Sequence, residues 1–333
     1  MTPPSWNVHF FEAFDEERDV IEKTLPEGLT AGFSRETLQE SGFKAPPSTI
    51  LSIRTQSRVP HDWLPSLNGV LSRSTGFDHL ASLASDSPSG PAFGHLAEYC
   101  SRAVAEHAIL MAGSLLRRLP RQCRQMASFL RSGLTGQEMR GRSLTVVGVG
   151  RIGSEVARIG QALNMKVLGC DPQPQFDGIP YAPLEDALSR ADVLICTMSL
   201  NDANRDLLDR GLLSHLPRGA IVVNVARGEL MVLEDLLALY DEGHLGGLGL
   251  DVFPHEDLLA THLRHTGTDD HPHLSLFREL IQRDNVILTP HNAFNTEESL
   301  HMKVQETLSE LEHFRKHGQF CTAVPSTSDI IPS

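Results

Sequence analysis

Long apolar runs are missing from this chain. No stretch approaches the ~20 consecutive apolar residues that a membrane-spanning helix needs. Met1 to Asn7 has neither a basic segment nor the apolar centre of a secretory signal, so no such signal is expected. Positive charge is also in deficit, with 29 Lys and Arg against 42 Asp and Glu and a net charge of −13. That balance argues against nucleic acid and against anionic membranes as partners. It leaves a small anionic substrate open, because local charge decides that. Cysteine is scarce and shows no CxxC pair: Cys100, Cys123, Cys170, Cys196 and Cys321 are the five. Cys170 and Cys196 each end an apolar, strand-like run. Reduced core thiols in a cytoplasmic protein are the expectation, and a catalytic cysteine is not.

With 333 residues, the chain exceeds what one hydrophobic core usually spans, so two domains are expected. From Ser143 onward, short β-rich runs (Leu144–Val147, Lys166–Cys170, Asp192–Cys196, Ala220–Asn224, Gly247–Leu250, Asn285–Thr289) recur. Helical segments at Ile152–Leu163, Leu184–Ser189, Asp206–His215 and Leu233–Tyr240 lie between most of them. Near-continuous apolar strands alternating with amphipathic helices predict a parallel sheet covered on both faces, doubly wound. A long helix precedes it, since Val104, Ala108, Met111 and Leu115 share one helical face, with Pro120 as its interruption. The first hundred residues read as a smaller α/β unit, with strands at Asn7–Phe11, Thr49–Ile53 and Gly69–Ser72, a helix at Glu16–Thr24 and a loop at Ser82–Phe93. The helical tail Glu297–Lys316 is expected to return to that unit.

Gly148-Val149-Gly150-Arg151-Ile152-Gly153 follows the strand Leu144–Val147 and opens a helix. In that context the pattern has a mechanism. Gly148 permits a tight turn, Gly150 lets backbone approach a pyrophosphate, and Gly153 lets helix and strand pack closely. The helix N-terminus offers unpaired N–H groups to the phosphates. The next strand ends in Asp171, whose carboxylate suits adenosine ribose hydroxyls and repels a 2′-phosphate, so NAD is preferred over NADP.

Four further stretches, Ser74 to His79, Tyr99 to His107, the pair Asn224–Gly228 and Gly249–Phe253 with Glu256, and Thr289-Pro290-His291, together resemble the D-isomer-specific 2-hydroxyacid dehydrogenases, closest in pattern to the lactate-type members. The resemblance is dense from Thr75 to Thr296. It implies two Rossmann-like domains: an NAD-binding domain, residues 99–292, inserted into a smaller flavodoxin-like substrate domain, residues 1–98 plus 293–333. It also implies hydride transfer between NAD(H) and C2 of a small D-2-hydroxy or 2-keto acid, and a homodimer. The residues carry that chemistry on their own terms too. His291 is of the type that titrates near neutrality, and Glu256, in a loop after a strand, can orient its ring and favour its protonated form. Arg227, just past a strand end, has the planar fork that holds a carboxylate. By resemblance, Arg151 and Ile152 meet the pyrophosphate, and Met198, Ser199 and Asn204 line the adenine and ribose side. Val225 and Asp251 belong to the nicotinamide end, and Ala226 is a further cofactor-binding residue. Thr75 and Gly76 hold the substrate carboxylate, and Tyr99 lies beside it.

Three positions depart from the family pattern: Ser199 where proline is common, Ala81 where many members have Asp, and Asn295 where lactate-type members carry Tyr. They bear on which acid is used. His262, His265, His271 and His273 with Asp269 and Asp270 could suggest a metal, but their spacing matches no familiar closed site, and a loop plus a short helix, Leu274–Ile281, is expected instead. A different class of function, an NAD-sensing binding protein resembling transcriptional corepressors, shares the fold.

Overall fold

The computed structural model describes residues 6–264 and 272–325. The chain divides into two compact units, one taking the residues through Cys100 and again from Asn295, the other running from Ser101 to Phe294. The expected cuts, after residues 98 and 292, lie two residues earlier in each case.

The smaller unit begins with β1 (Trp6–Phe10), α1 (Asp15–Thr24), β2 (Leu29–Phe33), β3 (Ile50–Ile53), β4 (Gly69–Ser72), α2 (Asp78–Ser85) and β5 (Ala92–His95). The five strands are all parallel, in the order β2-β1-β3-β4-β5. This is the flavodoxin-like winding. Helix α1 starts with Asp15, Glu16 and Glu17 and ends with Lys23, charges that complement its dipole. The strands bury Phe10, Leu51, Ile53, Val70 and Leu71.

Two of these strands are not legible in the residues. Strand β2 reads Leu-Thr-Ala-Gly-Phe and β5 reads Ala-Phe-Gly-His, each with a glycine that weakens strand propensity. The expected loop over Ser82–Phe93 is corrected: it holds the end of α2, a turn and the start of β5. A Cβ on Gly94 would stand 2.5 Å from the ring of Phe320, so β5 needs glycine to admit that aromatic.

The larger unit continues with α3 (Ser101–Leu116), α4 (Leu119–Gln125), β6 (Ser143–Val147), α5 (Arg151–Ala162), β7 (Lys166–Cys170), α6 (Leu184–Leu188), β8 (Val193–Cys196), α7 (Arg210–Leu213), β9 (Ala220–Asn224), α8 (Leu233–Asp241), β10 (Leu245–Leu250), α9 (Glu256–Arg264), α10 (Pro272–Ile281) and β11 (Val286–Leu288). Its six parallel strands run β11-β10-β9-β8-β6-β7. Beyond β7, Tyr181 makes a single parallel bridge to Gly169. Counting that bridge as a vestigial strand gives the dinucleotide-binding order, with its switch point between β6 and β8. The expected helix Asp206–His215 shrinks to α7, because Asp209 caps it by accepting from Leu212 N. Pro120 does not interrupt α3. That helix ends at Leu116, Arg118 turns left-handed at φ 52°, and Pro120 sits in the first turn of α4, where its missing N–H costs nothing.

The chain then returns to the smaller unit through α11 (Glu297–His317), capped by Thr296 at its start and by Gly318, at φ 72°, at its end. The cysteine expectation holds for Cys100, Cys170 and Cys196, which are buried. It is corrected for Cys123 and Cys321, which are exposed. Burial pushes Cys170 and Cys196 up to about 12, far from a reactive thiolate. Among the described residues, no helix is long and apolar enough to cross a membrane.

Candidate active site

The C-terminal ends of β6 and β8 form the first part of the site. Gly148 adopts φ +87° and donates its N–H to Cys170 O at 2.8 Å. A Cβ there would stand 2.3 Å from Met198 Cα, so the turn after β6 and the segment after β8 approach as only glycine permits. A Cβ on Gly153 would meet Gly148 O at 2.2 Å, whereas one on Gly150 would meet nothing within 4 Å. Helix α5 opens at Arg151 and Ile152 with no side chain capping it. The result is a helix N-terminus beside an open glycine backbone, which fits a pyrophosphate.

Asp171, just past β7, accepts from Val149 N through Oδ2 and from Gln173 N through Oδ1, both at 2.8 Å. It therefore ties the glycine turn to the neighbouring strand, and each oxygen keeps a lone pair for a ribose hydroxyl. Asn204 is buried and braces its own loop, donating from Nδ2 to Ser199 O at 2.7 Å and accepting from Asn201 N at 2.8 Å. With Met198 and Ser199 it forms the segment leaving β8. The residues present suit the two phosphates and the adenosine ribose of NAD.

The ends of β9, β10 and β11 form the second part. Asn224, Leu250 and Leu288 are in register across these three neighbouring strands. Strands lie about 5 Å apart, so the segments leaving β9 and β11 flank that leaving β10 on one sheet edge. Val225, Ala226 and Arg227 leave β9, Asp251 leaves β10, and His291 follows β11.

The β9 turn is fixed by Asn224, which donates to Arg227 O at 2.9 Å and accepts from Ala226 N at 3.0 Å. Gly228 packs so tightly that a Cβ would fall 1.9 Å from the carbonyl carbon of Phe253. That contact binds the β9 turn to the β10 turn. Arg227 is partly exposed and donates from Nη1 to Ala226 O at 2.8 Å.

His291 stands at φ 51°, a left-handed backbone that costs a side-chain-bearing residue about 1–2 kcal/mol. Its N–H donates to Asp251 O at 2.8 Å, and its Nδ1 lies 2.7 Å from Glu256 Oε2. The other oxygen of Glu256 accepts from Phe253 N at 3.0 Å. Glu256 was expected in a loop. It is instead the first residue of α9. Its side chain is 20% exposed and that of His291 23%, so the pair is sheltered but reachable.

Asp251 is 1% exposed. Its Oδ1 accepts from Thr289 Oγ1 at 2.5 Å and Asn292 N at 2.8 Å, and its Oδ2 from Ala293 N at 3.0 Å. Its carboxylate is thus occupied by the turn that carries His291. Thr289 and its neighbour His107, whose Nε2 is 3.3 Å from Thr289 Oγ1, were not singled out from the sequence, although both lie in motif stretches.

Thr75, Gly76 and Tyr99 belong to the smaller unit. Ser74 Oγ donates to Gly76 O at 2.7 Å, and Thr75 Oγ1 lies 3.6 Å from Cys100 Sγ. Tyr99 is buried, which keeps its hydroxyl protonated well past the usual phenol range. Among the described residues, no group of three His, Cys, Asp or Glu is placed to hold a metal ion. His262 is described and its Nδ1 lies 2.8 Å from Leu258 O. His265, Asp269, Asp270 and His271 lie outside the described residues, as does the side chain of His273.

Residues 108–293 match the model of the NAD-binding domain of the D-isomer specific 2-hydroxyacid dehydrogenases. A D-lactate dehydrogenase of Escherichia coli (strain K12) is 34% identical over 230 residues, covering 67% of this chain and 68% of that protein. A glyoxylate/hydroxypyruvate reductase of Arabidopsis thaliana is 31% identical over 262 residues, covering 75% and 74%. The solved D-lactate dehydrogenase of Aquifex aeolicus, complexed with NAD and lactic acid, superposes with a TM-score of 0.83 at 28% identity, over 96% of this chain and 99% of that one.

Proposed function

The chain belongs to the D-isomer-specific 2-hydroxyacid dehydrogenase family and is an NAD-dependent dehydrogenase, and on that premise we propose that it interconverts a small, lactate-like D-2-hydroxy acid and its 2-keto acid. In this reading His291 is the acid/base, Glu256 its partner, and Arg227 the holder of the substrate anion. The observation that carries it is the 2.7 Å contact between His291 Nδ1 and Glu256 Oε2. With Nδ1 engaged by a carboxylate, Nε2 is the nitrogen left to exchange a proton with substrate.

NAD supplies the hydride acceptor or donor at C4 of its nicotinamide. The chain's own residues do the rest. His291 Nε2 gives a proton to the keto oxygen as C2 becomes tetrahedral, and Glu256 stabilises the imidazolium before that transfer. In the oxidative direction the same nitrogen takes the proton from the hydroxyl. Arg227 offers a planar pair of donors to the carboxylate and polarises the keto oxygen. The backbone of Thr75 and Gly76, and Tyr99, take the substrate-binding roles that the family pattern gives them.

Oxidation of NADH followed against pyruvate, 2-ketobutyrate, 2-ketoisocaproate, hydroxypyruvate and glyoxylate tests this. Turnover of at least one is expected, with kcat/KM for NADPH at least about tenfold lower than for NADH because Asp171 faces the 2′-phosphate. Tight NADH binding without turnover of any acid would remove the enzymatic reading and favour a non-catalytic NAD-sensing role.

A second copy of the chain is the proposed partner. Leu119, Met126, Phe129 and Leu130, on α4 and the turn after it, are 46–66% exposed, an apolar group of the kind that association covers. Sedimentation should show a dimer for the parent and a monomer for the Met126→Glu/Phe129→Glu double variant. A parent that sediments as a monomer would refute the pairing. A cytoplasmic setting is the proposed location, supported by the free cysteines.

A further inference from the structure

The turn bearing His291 is held from outside by a hydrogen-bond chain that begins on a different layer of the fold. Thr289 Oγ1 carries one hydrogen, which it donates to Asp251 Oδ1 at 2.5 Å. Toward His107 it can therefore only accept, so His107 Nε2, 3.3 Å away, must be the protonated nitrogen. The direction of the chain is thereby settled: His107 on α3 donates to Thr289 beyond β11, and Thr289 donates to Asp251 beyond β10. His107 Nε2 is also 3.9 Å from Asp251 Oδ1, close enough for the imidazole to bear on the buried carboxylate directly.

The other hydrogen bonds to Asp251 come from the same turn. Asp251 accepts from Asn292 N and Ala293 N through its side chain and from His291 N through its carbonyl. His291 sits between these anchors in a left-handed conformation it would otherwise leave. Its ring must point at Glu256 within hydrogen-bond distance, and small errors in such placement are costly.

We propose that Thr289 and His107 are positioning residues for the acid/base: they orient the Asp251 carboxylate, which in turn holds His291 against Glu256. The inference rests on the reading of His291 given above. Removing the Thr289 hydroxyl leaves Asp251 Oδ1 one donor short and His107 without its acceptor. The turn then relaxes and the His291–Glu256 contact lengthens. A protonated imidazole is less favoured, so the alkaline limb of keto-acid reduction moves to lower pH.

The test compares Thr289→Val, nearly isosteric, with Thr289→Ser, which keeps the hydroxyl, and with His107→Leu, all in the full chain. Expected for Thr289→Val is a kcat lower by about 10–100-fold, with KM for the keto acid within about threefold of the parent. NADH affinity, read by fluorescence titration, should be unchanged, and the alkaline limb of kcat should move to lower pH. Thr289→Ser should return both kcat and the limb toward the parent, and His107→Leu should shift both in the direction of Thr289→Val by less. A merely structural role would lower the melting temperature without moving the pH limb. Thr289→Val with the parent's kcat and limb, or Thr289→Ser as impaired as Thr289→Val, overturns the proposal. His291→Ala run alongside separates the failures. If it is inactive while Thr289→Val matches the parent, only the positioning inference falls. If it stays active, the acid/base reading falls and takes this one with it.

Discussion

Alanine at position 291 is expected to lower kcat for keto-acid reduction by about 10²–10⁴-fold, the usual worth of a positioned general acid, while NADH affinity stays near the parent's. The separation follows from the two parts of the site. The glycine turn is built from Gly148, Cys170, Met198 and Asp171, at the ends of β6, β7 and β8, and none of its hydrogen bonds involves His291. His291 draws on Asp251 and Glu256, at the ends of β10 and the start of α9. Because residue 291 stands at φ 51°, alanine there also disturbs the backbone, so His291→Asn is the matched control. Asparagine tolerates the left-handed region but has no proton to give near neutral pH. Both variants should lose kcat to that extent and both should bind NADH. Asparagine retaining the parent's kcat would show that side-chain proton transfer from this position is not the catalytic step.

How much of this was readable in the residues differs between the two parts. The glycine turn was legible because a local pattern, a preceding β-rich run and a following amphipathic helix all agree, and each glycine answers to a steric requirement the structure displays. Arg227 and His291 were legible as residue types at strand ends. What holds them was not. Asp251 buried under the His291 turn and the link from His107 across to Thr289 are contacts between segments far apart in sequence, and no spacing rule encodes them. Strands β2 and β5 were missed for a related reason. Gly94 looks like a strand breaker until Phe320 is seen to occupy the space of its absent side chain. The single bridge at Tyr181 leaves almost no hydrophobic signature, yet it supplies the outer edge of the dinucleotide-binding sheet. Cys123 and Cys321 were misjudged because exposure depends on where α4 and the segment after α11 lie, not on the local run of residues.

Arg73 was silent in the sequence and is wholly buried in the structure, and the largest stability effect is expected at its partner. Its guanidinium donates to Glu17 Oε1 at 2.9 Å, Ser52 Oγ at 3.0 Å and Phe11 O at 2.7 Å, joining α1, β3 and the end of β1 just before the Ser74–Gly76 loop. Lys303 of α11 reaches the same Glu17 oxygen at 3.0 Å. One buried carboxylate thus serves two buried cations. Burial alone would raise Glu17, but the charges of Arg73, Lys303 and Arg54 and the hydrogen bond from Arg73 outweigh it and hold the carboxyl down at about 2. Burial pushes Lys303 down to about 8, Glu17 opposing and the two arginines adding to the fall.

Glu17→Gln, which keeps the shape and removes the charge, is therefore expected to cost about 3–5 kcal/mol in urea unfolding, because both cations are left uncompensated. Lys303→Met should cost much less, since it leaves a one-to-one pair of Glu17 and Arg73 and adds apolar contact. The pH dependence carries the same signature. Glu17 is depressed from its ordinary 4.5, so its stabilisation is complete above 4.5 and is lost as pH falls through about 2. Lys303 is depressed from 10.5, so between about 8 and 10.5 the unfolded chain binds more protons and stability from this group rises with pH. Glu17→Gln should erase the acid part, and Lys303→Met the alkaline rise. Equal destabilisation by the two variants, or a Lys303→Met protein less stable than Glu17→Gln, would mean that the cluster is not short of negative charge, and the electrostatic account of Arg73 would fail with it.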